Sequence, residues 1–197
     1  MGRGAALDSR IPARRRHTEA VPLPTPSHAA HLVRRFAGSL WPAGPSTADD
    51  EWATGQLNPG EKALWRCMPR YDRRHAVGVA RRTEQALGPR ATRAVLAAAL
   101  LHDVGKVDSG FGPVRRALAT VAAMVWGHAT AVGWRTRRGV VGRTGRYLSH
   151  DVIGAEMLAA TGSDGLAVTW AREHHLPPDR WSLPADIGAA LKLADDD

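Results

Sequence analysis

Residues 91–102 read Ala-Thr-Arg-Ala-Val-Leu-Ala-Ala-Ala-Leu-Leu-His, and Asp103-Val104-Gly105-Lys106 follows at once. After Arg93 the run is apolar on every side, so a helix here has no face to give to water. It must lie inside the fold. The buried helix then ends on His102 and Asp103, two residues that rarely go inside without a partner. A chain with this feature needs other helices around 91–102 and cationic or hydrogen-bonding partners at its end. Gly105 is read as the residue that lets the chain bend away after the pair.

The rest of the chain supplies helices and candidate partners. Asp72 is read as the N-cap of a helix over 73–87, stopped by Gly88-Pro89. Asn58-Pro59-Gly60-Glu61 reads as a turn and helix start leading into 63–68. Further helices are expected over 147–160, 166–174 and 187–194. Strand patterns are almost absent, so the fold class is all-α. Four further candidate metal ligands, His75, His150, His174 (with His175 beside it) and Asp195, join His102 and Asp103. His75 lies on the helix before 91–102, and an antiparallel pair brings it opposite His102. Asp195, on the last helix, completes a site from a third direction. Neutral imidazoles and carboxylates suit one or two divalent transition metals, with iron or manganese preferred for this mixed donor set. His17, His28, His31 and His128 fall outside the pattern. Trp126, Trp134, Trp170 and Trp181 are read as core or rim residues.

Charge is unevenly spread. The net is +8, yet residues 1–35 carry seven Arg against Asp8 and Glu19, and residues 109–150 carry seven Arg and no acid. Such patches favour anionic partners. A nucleotide-like small molecule is the partner preferred here, with RNA and an anionic membrane surface as the alternatives. Residues 1–30 hold Arg14-Arg15-Arg16 and four prolines, and are expected to be a disordered basic tail. Residues 31–57 are read as a short helical extension, with one helix over 31–40 and another near 49–57. The domain proper is placed at 58–197, with an Arg-rich insert at 109–149 lying near the site. Within it, residues 117–134 carry no formal charge and are flanked by Arg115-Arg116 and Arg135. A helix over 114–134 is expected, buried by Leu118, Val121, Val125, Ala129 and Val132; a spanning or interfacial helix is the alternative. The lone Cys67 permits no internal disulfide, and no apolar leader precedes the basic tail. Both points suggest a cytoplasmic protein.

The ordered pattern His75, His102-Asp103, His150, His174, Asp195 resembles the HD-domain superfamily of metal-dependent phosphohydrolases. The matching strings are His75-Ala-Val-Gly-Val-Ala80, Leu100-Leu-His-Asp-Val-Gly-Lys106, His150-Asp-Val-Ile-Gly-Ala-Glu156, Glu173-His-His175 and Ala190-Leu-Lys-Leu-Ala-Asp195. Among its branches the pattern is most similar to ribonuclease Y and the HD-GYP phosphodiesterases. Leu176-Pro177-Pro178 stands where Gly-Tyr-Pro would follow. The resemblance implies that His75, His102, Asp103 and Asp195 hold a first metal. Asp103, His150 and His174 would hold a second, with His175 as a substitute ligand. Lys106 would touch a substrate phosphate, making Asp103 and Lys106 the catalytic pair. The implied reaction is hydrolysis of a nucleotide-like phosphoester by a metal-activated water. A non-catalytic nucleotide-binding module is the competing reading.

Overall fold

A computed structural model describes residues 43–197, and the expected tail and the helix over 31–40 lie outside them. The described chain is all-α. Its helices are α1 (Thr47–Gln56), α2 (Pro59–Cys67), α3 (Arg70–Leu87), α4 (Arg93–Leu101), α5 (Lys106–Ser109) and α6 (Pro113–Trp126), then α7 (His128–Val132), α8 (Gly139–Leu148), α9 (His150–Ala160), α10 (Gly165–Glu173) and α11 (Ala185–Asp196).

The apolar run behaves as its composition demands. Thr92 caps α4 by accepting from the Val95 amide, and every residue from Val95 to Leu101 is buried. Helix α3 packs on one side of it and α10 on another. Helix α3 contributes Ala76, Val77, Val79, Ala80, Thr83 and Leu87, an inward stripe at helical spacing. Helix α11 packs back onto α3, and α9 packs onto α10. Trp65, Trp170, Leu158 and Leu191 complete the core around α4. Helix α1 shares this core through Ala53, and Leu57 beside it is also buried. Asn58 and Glu61 form a full capping box at the start of α2, each side chain satisfying the other's backbone N–H.

Three expectations are corrected. Asp72 does not cap α3, whose N-cap is Pro69 and which starts at Arg70. Its carboxylate instead takes two parallel hydrogen bonds of 2.8 Å from Arg116. A buried guanidinium needs such a planar partner more than a helix end needs a cap. The single helix over 114–134 is broken at Gly127, whose φ of 84° no helix accommodates. Its apolar side is also not buried. Helix α6 turns Arg116 and Ala119 inward, while Leu118, Val121 and Val125 face solvent. Of the four tryptophans read as core or rim, Trp170 is fully buried but Trp126 is 60% exposed.

A candidate metal centre

Because α4 is central, its end delivers His102 and Asp103 to the middle of the bundle, where they are 1% and 6% exposed. The other helices then bring their own residues to this point. His75 comes from α3 and Lys106 from the start of α5. His150 opens α9, His174 and His175 follow α10, and Asp195 lies near the end of α11.

Asp103 is the hub. Its Oδ2 faces His102 Nε2 at 3.4 Å and is ion-paired with the Lys106 ammonium. Its Oδ1 faces His150 Nε2 at 3.4 Å and His174 Nε2 at 3.6 Å. Asp195 Oδ1 stands 3.0 Å from His75 Nε2 and 3.5 Å from His102 Nε2. His175 Nε2 lies 3.0 Å from His150 Nε2. Two groups of potential ligands thus meet at Asp103: His75 and His102 on one side, and His150, His174 and His175 on the other. The structure brings together all six expected ligands, and Lys106 with them. The Lys106 ammonium rests on Asp103 rather than reaching into solvent.

Three of the imidazoles are oriented by the backbone carbonyl three residues before them. His102 Nδ1 lies 2.9 Å from the Ala99 carbonyl, His150 Nδ1 2.7 Å from that of Tyr147, and His174 Nδ1 2.9 Å from that of Ala171. A carbonyl only accepts, so each Nδ1 carries a hydrogen and each Nε2 faces inward, where it offers a lone pair whenever the ring is neutral. Such back-bonding is the usual outer support of a metal-binding histidine. His102 Nε2 and His174 Nε2 are buried and make no hydrogen bond. An orphaned buried lone pair is costly, and a cation between the rings and carboxylates would satisfy both. The donor set therefore fits a divalent transition metal.

The electrostatics point the same way. Burial opposes a charge on His102, but Asp103 and Asp195 outweigh it and push the ring up to about 10. Burial also opposes ionisation of Asp103, yet Lys106 and then His102 hold its carboxyl well below the usual range. Burial keeps His174 neutral by lowering its pKa. The centre thus holds two carboxylates that call for positive charge and at least one neutral imidazole lone pair beside them.

Close packing explains Gly105 better than a bend does. Its φ is −61°, which any residue adopts. A Cβ there would lie 2.0 Å from the His150 carbonyl oxygen and 2.6 Å from the Gly154 nitrogen. Glycine is needed because α9 sits directly on this backbone, and that contact puts His150 beside Asp103.

Some supporting residues escaped the sequence reading. Glu173 accepts from both the amide and the hydroxyl of Ser182, tying the end of α10 to the segment that leads into α11. Arg82 donates two hydrogen bonds, 3.0 and 2.7 Å, to the carbonyl of Ala194, the residue before Asp195. The signal for Arg82 was present, since it follows His75 by seven residues and so shares its helix face. The distant carbonyl it holds was not. Arg82→Gln is expected to weaken metal affinity about ten-fold while leaving the helical content unchanged, because Asp195 loses its anchor. Metal titration monitored by calorimetry or by a competing chelator measures this, and an unchanged affinity would remove Arg82 from a positioning role.

The HD domain family matches residues 73–196, more than half of the chain and all eight residues of the centre. The chain belongs to the HD domain family. HD domains bind divalent metals and are generally metal-dependent hydrolases. Searches of curated proteins and of solved structures return no match.

Proposed function

We propose that this protein is a metal-dependent phosphohydrolase acting on a nucleotide-like phosphoester, with iron or manganese as its metal. One observation carries the reading: His102 and His174 aim buried, unbonded Nε2 atoms at opposite oxygens of one carboxylate, Asp103. A cation between the rings and the carboxylate would satisfy both nitrogens and the carboxylate at once. His75, His102, Asp103 and Asp195 would hold one metal, and Asp103, His150 and His174 a second. When bound, such ions lower the pKa of water and draw phosphoryl oxygens. The chain's own residues do the remaining work. The Ala99, Tyr147 and Ala171 carbonyls keep the imidazoles in the ligating tautomer. Burial limits competing water. Lys106, already drawn to a carboxylate oxygen, is placed to neutralise a phosphate oxygen instead.

Protein purified without oxygen, chelator or added metal is expected to contain about two equivalents of iron or manganese. It should hydrolyse an activated phosphodiester such as bis(p-nitrophenyl) phosphate. Chelation should stop turnover and either metal should restore it. Cyclic dinucleotides and dinucleoside polyphosphates are the natural classes to compare next. Failure to take up metal, or tight nucleotide binding without hydrolysis after metal loading, would overturn the enzymatic reading and favour a nucleotide-binding module.

A further inference from the structure

Helix α6 is amphipathic in the wrong sense for a soluble fold. Val114, Leu118, Val121 and Val125 recur at intervals of four, three and four, which places them on one line of the helix. That line faces solvent, with Leu118 63% exposed; Met124 and Trp126 extend it at 71% and 60%. The inward side is made of Arg116, Ala119 and other small residues. The neighbouring helix α8 adds exposed Val140 and Val141. Scattered exposed apolar residues need no explanation, but a continuous stripe along a 14-residue helix does.

The surrounding charge narrows what covers it. Residues 109–150 contain seven arginines and no acid. Three of the seven have internal partners: Arg116 with Asp72, Arg143 with the Ser109 and Gly110 carbonyls, and Arg146 with Asp108. Arg115, Arg135, Arg137 and Arg138 are exposed and make no ion pair among the described residues. Trp126 packs edge-on against Trp134 at the end of the stripe, 6.0 Å between rings. Indoles at the margin of an apolar face, with arginines beyond them, match the depth profile of a lipid interface.

We propose that the solvent face of α6 and its flanking arginines dock onto an anionic lipid bilayer, with the helix lying in the headgroup region. Spanning is not involved, since among the described residues no helix is long and apolar enough to cross a membrane. Two other occupants are disfavoured by charge. A second copy would bring to this face its own 109–150 segment, with the same arginines and no acid to pair with them. The chain's first 35 residues carry seven Arg against two acids, so they too would add like charge to this face. The same charge on the bilayer is an attraction. The inference does not depend on the activity of the metal centre.

The test is flotation of the full chain with vesicles of phosphatidylcholine alone or with about 30% phosphatidylglycerol. Binding is expected to the anionic vesicles only, and to weaken as salt is raised. L118S/V125S should lower partitioning at least about ten-fold through lost apolar burial. R137Q/R138Q should lower it to a similar degree, each arginine near the surface contributing about five-fold. Both variants should keep the parent's melting temperature and oligomeric state, because the altered side chains face solvent. No flotation of the parent chain, or unaltered flotation of either variant, would overturn the proposal. So would a lowered melting temperature or a dimer-to-monomer shift in L118S/V125S, which would show that protein already covers the face. Salt-sensitive RNA binding without vesicle binding would assign the arginines to nucleic acid instead.

Discussion

Asp103→Asn is expected to purify with almost no bound metal and to lose at least about a thousand-fold in turnover, near 4 kcal/mol of transition-state stabilisation. The substitution keeps the shape of the side chain and removes its charge. Both oxygens are engaged, Oδ2 with His102 and Lys106 and Oδ1 with His150 and His174. A neutral amide serves neither half as an anionic bridge. It also strands the half-buried Lys106 ammonium; breaking a fully buried ion pair from one side costs about 3–5 kcal/mol, and the cost here is expected to fall below that range. The single variant is therefore expected to melt lower. D103N/K106M removes the stranded charge and should recover much of the stability without recovering metal. Elemental analysis and thermal melting of both variants separate the two effects. Metal content near that of the parent in either variant would refute the shared-carboxylate centre.

Gly105→Ala should have the next largest effect. Nothing about the local backbone forbids alanine, since φ is −61°. The obstacle is a neighbour 45 residues away in sequence: the new Cβ would meet the His150 carbonyl oxygen at 2.0 Å and the Gly154 nitrogen at 2.6 Å. Those atoms are backbone and cannot rotate aside, so the first turn of α9 must retreat. Overpacking of this kind costs about 3 kcal/mol, or roughly 6–12 °C in melting temperature for a domain of this size. His150 would retreat from Asp103 while His75, His102 and Asp195 stay together on α3, the end of α4 and α11. Metal content should then fall from about two equivalents to about one. A variant that melts like the parent and still holds two equivalents would show that α9 is not positioned by this contact.

The candidate ligands stood out in the sequence because metal donors come from few residue types and their neighbours are distinctive. His102-Asp103 closes an apolar run, and Asp195 follows Leu193-Ala194. The helix boundaries were readable where capping chemistry is local, as at Asn58 and Gly88. The reading failed where the decisive partner is remote. Asp72 looks like a cap until Arg116, 44 residues on, claims its carboxylate. Arg82 looks like a surface charge until the Ala194 carbonyl comes within reach. The stripe from Val114 to Val125 has the period of a core helix, and periodicity says which residues share a face but not which way that face turns.

Composition and spacing were enough to show that this chain is helical, that the run from 95 to 102 lies inside it, and which histidines and aspartates are candidates to meet. Each of those follows from composition and spacing along one stretch of chain. It took the packed fold to reveal that Asp103 lies between two groups of imidazoles, that Gly105 is a contact rather than a hinge, and that α6 turns its apolar side outward. Those outcomes depend on which helices press against each other, and packing is a contest among surfaces far apart in the chain.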